Sequence, residues 1–152
     1  MGTAVVRESH SNTSGVVPDR PISPHPNFVT QDGLAKINAR LRQLEAARTA
    51  GDDRDGLAGI ERELRYWRQR RSSARMIAPP ATPEIVRFGV TVSVRFEDGS
   101  TRHYRLVGED EAEPAAGLIS WTAPVGSALI GKRSGDLVQL CGRQAQIIAM
   151  RA

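Results

Sequence analysis

One cysteine, three histidines and two lysines are all that this chain of 152 residues holds of those types. The lone Cys141 excludes an intramolecular disulfide and a thiolate cluster, which suits a reducing compartment, and the cytoplasm is the expected location. No run approaches the roughly 18 apolar residues of a membrane span, and no signal-peptide pattern opens the chain, so no membrane partner is expected. His10 and His25 fall in a low-complexity stretch, and His103 stands in a strand pattern without a nucleophile or metal-ligand spacing nearby. Neither a catalytic constellation nor a stably held metal is therefore expected. Glycine-rich phosphate cradles are missing as well, because Gly131-Lys132 follows a helical segment instead of preceding one. What remains is a chain with 39% hydrophobic and 25% charged residues, a net charge of +4 and a pI near 10.0. All but two of its 21 basic residues are arginine, which suits an acidic or polyanionic partner.

The pattern changes three times along the chain. Residues 1–27 are rich in Ser, Thr and Pro, show no periodicity, and read as a disordered tail. From Thr30, a good N-cap, Leu34, Ile37, Leu41 and Leu44 share one helical face, and Leu57, Ile60, Leu64 and Trp67 repeat the pattern after Gly51-Asp52-Asp53-Arg54-Asp55-Gly56. Two apolar stripes joined by a short turn pack antiparallel, so 28–78 is expected to form a short coiled-coil αα-hairpin. Pro79, Pro80 and Pro83 make a linker over 79–84. Over 85–152 the period becomes two: Val90, Val92, Val94 and Phe96 alternate, Asp98-Gly99 turns, and Tyr104 and Leu106 return. Short strands near 118–121, 137–140 and 147–148 and a helix opened by Pro124 complete an α+β domain, expected as an antiparallel sheet with one short helix.

Charge is concentrated in the hairpin, where eleven basic residues from Lys36 to Arg75 face seven acids. Arg62, Arg65 and Arg68 recur every three residues as a basic flank; its plain reading is a solvated face. At the turn, Asp52, Asp53 and Asp55 stand within four positions. Carboxylates this close repel unless a cation lies between them, so they could help complete a Mg²⁺ site assembled by another protein; equally, Gly and Asp make a good exposed turn.

Three segments carry a family resemblance: Phe88-Gly89-Val90-Thr91-Val92, Tyr104-Arg105-Leu106-Val107-Gly108-Glu109-Asp110-Glu111-Ala112-Glu113-Pro114, and Ala123-Pro124-Val125-Gly126-Ser127-Ala128-Leu129-Ile130-Gly131-Lys132. In this order they resemble the C-terminal domain of bacterial GreA/GreB-type transcription elongation factors, and Phe28-Val29-Thr30-Gln31-Asp32-Gly33 resembles that family's helix-opening motif. The resemblance implies an FKBP-like C-terminal domain docked at the rim of the RNA polymerase secondary channel, with the coiled coil entering the channel. Pro124, Val125, Gly126, Leu129 and Lys132 become docking candidates. Asp52 and Asp55 match the family's acidic tip, which shares Mg²⁺ with the polymerase active site near the nascent RNA; the polymerase itself cuts backtracked RNA. The chain would be a monomeric cofactor rather than an enzyme.

Departures from the family pattern accompany the match. Gly56, Leu57 and Ala58 replace the usual Asn, Glu and Tyr after the acidic pair, Asp55 is one methylene shorter than Glu, and Ala123 stands where Ser is usual. Each arm is shorter by roughly eight to twelve residues, or about 12–18 Å. Short arms and Ala123-Pro124-Val125-Gly126 also resemble the nucleoside diphosphate kinase regulators, which implies polymerase binding without cleavage. Other classes rest on less: a peptidyl-prolyl isomerase needs an aromatic pocket, and the domain offers only Phe88, Phe96, Tyr104 and Trp121. A free-standing DNA- or RNA-binding or dimerising hairpin would use the arginines and Tyr66-Trp67.

Overall fold

The computed structural model describes residues 18–51 and 54–152. Two 20-residue helices, α1 (Gln31–Ala50) and α2 (Arg54–Ser73), form the hairpin, each about 30 Å long at 1.5 Å per residue. Thr30 caps α1 as its sequence suggests, its hydroxyl accepting from the Gly33 amide at 2.9 Å. The stripes meet: Ile37, Leu41 and Leu44 of α1 and Leu64 of α2 are buried, with Leu34, Ile60 and Trp67 packed against them.

The hairpin base is closed by a feature that periodicity could not reveal. Strands β1 (Phe28–Val29) and β2 (Arg75–Met76) flank the helices and pair in parallel, Phe28 opposite Arg75 and Val29 opposite Met76. Strands of two residues leave no alternation to read, so nothing in the pattern announces them.

The second unit is a five-stranded sheet with strand order β5-β4-β3-β7-β6. It comprises β3 (Thr91–Phe96), β4 (Thr101–Val107), β5 (Leu118–Ser120), β6 (Leu137–Leu140) and β7 (Arg143–Arg151), with α3 (Pro124–Leu129) between β5 and β6. The expected elements are present, and the fold is α+β, but the sheet is mixed rather than antiparallel. Leu106 pairs with Ile119 in a parallel register because residues 108–117 carry the chain back along β4 before β5 begins. Val92, Val94 and Phe96 point inward with Leu106, Val138, Leu140 and Ile147, and Leu129 from α3 completes the core. Cys141 and Gly142 both take positive φ, 52° and 75°, which is the two-residue turn geometry that matches the twist of a β-hairpin.

The expected disordered tail over 1–27 is corrected for 18–27. Residues 1–17 lie outside the described residues, but 18–27 pack against both units, and Asn27 is buried at 6% exposure. The segment lacks periodicity because prolines, not helix or strand hydrogen bonds, shape it.

Candidate functional site

The acidic Gly51-Asp52-Asp53-Arg54-Asp55 segment lies in sequence between the end of α1 and the start of α2. Asp52 and Asp53 lie outside the described residues, and Asp55 belongs to the first turn of α2 by its backbone. Among the described residues no group of three His, Cys, Asp or Glu side chains stands together as a metal-ligand set. Gly51 and Arg54, on either side, are exposed.

The basic flank is largely paired within the chain. Arg65 meets Asp19 at 2.6 Å, Arg68 lies 4.0 Å from Glu45, and Arg48 of α1 bridges to Glu61 at 2.8 Å. Arg62 is only half-exposed, and its Nε is buried without a hydrogen-bond partner among the described residues. Arg65 and Arg68 remain exposed while paired, so the row is a solvent-facing flank with part of its charge met within the chain.

Around α3 the docking candidates separate. Pro124 and Lys132 are exposed, and Val125 is half-buried against the sheet core. Leu129 is fully buried in that core, and Gly126 is buried where a Cβ would stand 2.2 Å from the Ser120 carbonyl oxygen. These two are corrected from contact to packing residues: an apolar face on a six-residue helix is consumed by the sheet beneath it. Ile130, at 38% exposure, joins Pro124 and Lys132 as exposed residues of this segment. The four aromatics named for an isomerase divide into two pairs: Phe96 and Tyr104 pack in the sheet core, while Phe88 and Trp121 meet the Phe28 ring at 5.9 and 5.1 Å.

The most ordered chemistry lies where hairpin and sheet meet, and the sequence reading missed it. Arg70, on α2 near the hairpin base, is 1% exposed. Its Nε donates to Asp110 at 2.5 Å and its second terminal nitrogen to Asn27 at 2.7 Å, while Asn27 donates back to the Arg70 carbonyl at 2.7 Å. Tyr66, one turn earlier, donates its hydroxyl to the other Asp110 oxygen. Burial and the adjacent Asp110 carboxylate push the Tyr66 phenol up from 10.0 to about 12. Glu111 accepts from the Thr30 hydroxyl at 2.5 Å, placing a negative charge beside the α1 N-terminus, where the helix dipole favours it. The acidic 108–113 loop is thus the socket into which the hairpin base fits. A signal did exist: Arg70 continues the Ile60, Leu64, Trp67 spacing, and a charged residue at a core position requires a buried partner.

Residues 81–148 match the family model described as "Transcription elongation factor, GreA/GreB, C-term". A curated relative, transcription elongation factor GreA of Rhodospirillum rubrum, is 34% identical over 135 residues, covering 74% of this chain and 86% of that protein. The GreA of Chloroflexus aggregans is 34% identical over 131 residues, covering 71% and 83% respectively. Among solved structures, GreA factor homolog 1 of Thermus thermophilus aligns with a TM-score of 0.43 and 21% identity, covering 84% of this chain and 100% of that one.

Proposed function

Since the chain belongs to the GreA/GreB family of transcription elongation factors, we propose that it binds RNA polymerase, with the sheet domain at the rim of the secondary channel and the hairpin in the channel mouth. The observation that carries this reading is the extent of the relationship: the matched part spans 86% of the Rhodospirillum rubrum GreA, more than a sheet domain alone would cover. Pro124, Lys132 and Ile130 offer the exposed part of the docking face. The hairpin projects from the sheet as a stiff rod of about 30 Å with its acidic turn at the far end. In this role the chain has no reaction of its own. It regulates elongation by occupying the channel, and any RNA cleavage belongs to the polymerase.

A second reading, stimulation of transcript cleavage, is favoured by Gly51-Asp52-Asp53-Arg54-Asp55 at the turn. Its carboxylates would assist a Mg²⁺ held chiefly by the polymerase, in the way one or two carboxylates usually serve that ion. Reach decides between the readings, because a misplacement of about 1 Å near the reacting atoms already costs about a hundredfold. Direct DNA binding, suggested by arginine density, gains no support from a flank that is paired internally.

The test is a backtracked elongation complex of the cognate polymerase, with binding and RNA cleavage followed in the same samples. Binding without cleavage, unchanged in the Asp52→Ala, Asp55→Ala double variant, is the expected result. Cleavage lost in that variant would establish the second reading, and absence of binding would overturn both.

A further inference from the structure

Residues 18–27 run Pro18-Asp19-Arg20-Pro21-Ile22-Ser23-Pro24-His25-Pro26-Asn27. Prolines hold φ near −65°, so a segment this rich in them loses little conformational freedom when it docks. It docks on two units at once. Toward α2, the Arg20 guanidinium lies 3.7 Å from the Tyr66 ring centroid and pairs with Glu63 at 2.8 Å, and Asp19 pairs with Arg65. Toward the sheet domain, the Ser23 hydroxyl donates to Glu109 at 2.9 Å, and the His25 ring meets Trp121 edge-on with centroids 5.8 Å apart. An arginine leading prolines onto aromatic rings beside carboxylates is how proline-rich peptides are recognised in general. Here the peptide belongs to the same chain.

The position of these contacts gives them leverage. Arg70 fastens the hairpin near its base, whereas Glu63 and Tyr66 lie four to seven residues nearer the tip, about 6–10 Å further along the rod. A tilt of about 5° at the base would carry the tip of a 30 Å rod by about 2.5 Å. Arg70, Tyr66 and Thr30 already hold the base on the 110–111 loop, and the contacts at Glu63 and Arg65 lie beyond them along α2, where they resist that tilt with more leverage.

We propose that residues 18–27 are a brace in cis, which holds the hairpin at a fixed angle to the sheet domain and so sets where the tip stands when the sheet domain is docked. The angular part stands on the contacts above. Its consequence for the tip rests on the polymerase reading.

The native Cys141, exposed on the β6–β7 turn, can carry one spin label, and Thr49→Cys, exposed in the last turn of α1, can carry the other. Distance distributions from pulsed dipolar spectroscopy on the full chain then read the hairpin angle, with circular dichroism monitoring the helices. The braced chain gives one narrow distribution. Arg20→Glu, which sets like charge against Glu63, broadens it by at least about 2–3 Å, the displacement expected for a tilt near 5°. Adding Glu63→Arg restores it, and a Pro21→Gly, Pro24→Gly double variant broadens it by loosening the segment. Unchanged widths in all variants, or broadening that appears only together with loss of helix, would overturn the brace. Failure of the charge swap to restore the distribution would overturn the assignment to Arg20 and Glu63.

With polymerase added, an unbraced chain is expected to keep its half-maximal concentration, set by the sheet domain, but lose maximal effect on elongation. A braced chain that never binds polymerase would defeat the functional reading while leaving the distance result intact.

Discussion

The sheet domain and the hairpin base are held by different mixtures of chemistry. In the sheet, Val92, Val94, Leu106, Leu129 and Ile147 are fully buried, and among the described residues no charged side chain belongs to that core. At the hairpin base, Arg70, Asn27, Thr30 and Glu111 are buried beside the apolar Val29, satisfied by one another and by Asp110, and Phe28 packs on Phe88 and Trp121. Apolar burial is non-directional and tolerates small shifts, so it suits a platform that must simply persist. Buried hydrogen-bonded charges work in one geometry only, so they suit a joint whose angle matters. The polar socket therefore adds a directional constraint to the apolar contacts that Phe28 makes with the sheet domain.

Removing Arg70 breaks that distinction most severely. Arg70→Ala strands Asp110 beside a cavity and is expected to cost about 3–5 kcal/mol, read by chemical denaturation, with the loss falling on the hairpin's attachment. Leu129→Ala opens a cavity on the apolar side and should cost about 2–5 kcal/mol, but its effect should be indifferent to salt. Tyr66→Phe deletes one hydrogen bond to a charged partner, worth about 1.5–3 kcal/mol.

That bond also has a pH signature. The folded phenol titrates at about 12, above its ordinary 10.0, so the folded state holds the proton more tightly. Its contribution is complete below pH 10 and fades as the pH rises toward 12. Ultraviolet titration should show a late-ionising tyrosine in the native chain and lose that phase in Tyr66→Phe.

The smallest effect is expected at the exposed Asp98–Arg143 pair, 3.0 Å apart across the β3–β4 and β6–β7 turns. Arg143→Ala should change the melting temperature little, because ion pairs in solvent contribute at most about 1 kcal/mol. Because Arg143 also lies 4.2 Å from the Phe96 ring centroid, a large loss that high salt reproduces in the unmutated chain would show that the sheet depends on charge and would weaken the contrast with the hairpin base.

Much of the sheet domain was legible because period-two alternation and the Asp98-Gly99 turn are local signals. The two apolar stripes and Thr30 revealed the hairpin for the same reason. Three features were not legible, each depending on groups distant in sequence. The parallel β4–β5 pairing depends on the path of residues 108–117, the β1–β2 pair is too short to alternate, and the socket joins Asn27, Arg70 and Asp110 across more than 80 positions. At the candidate site, composition named the arginine flank but could not show that Asp19 and Glu45 pair with it. The docking segment around Pro124 was found by its motif, yet the motif gave Gly126 and Leu129 the same standing as Pro124. Only packing separates a residue that faces a partner from one that lets the helix sit on its sheet.

The claim that joins these parts is that the hairpin points into the polymerase channel. A photo-crosslinking amino acid at Gly51, exposed beside the acidic turn, and another at Ser127 on α3, would map both ends of the molecule on the bound polymerase. The account predicts crosslinks from position 51 to residues lining the secondary channel and from position 127 to its rim. Crosslinks from position 51 confined to the polymerase's outer surface would contradict it.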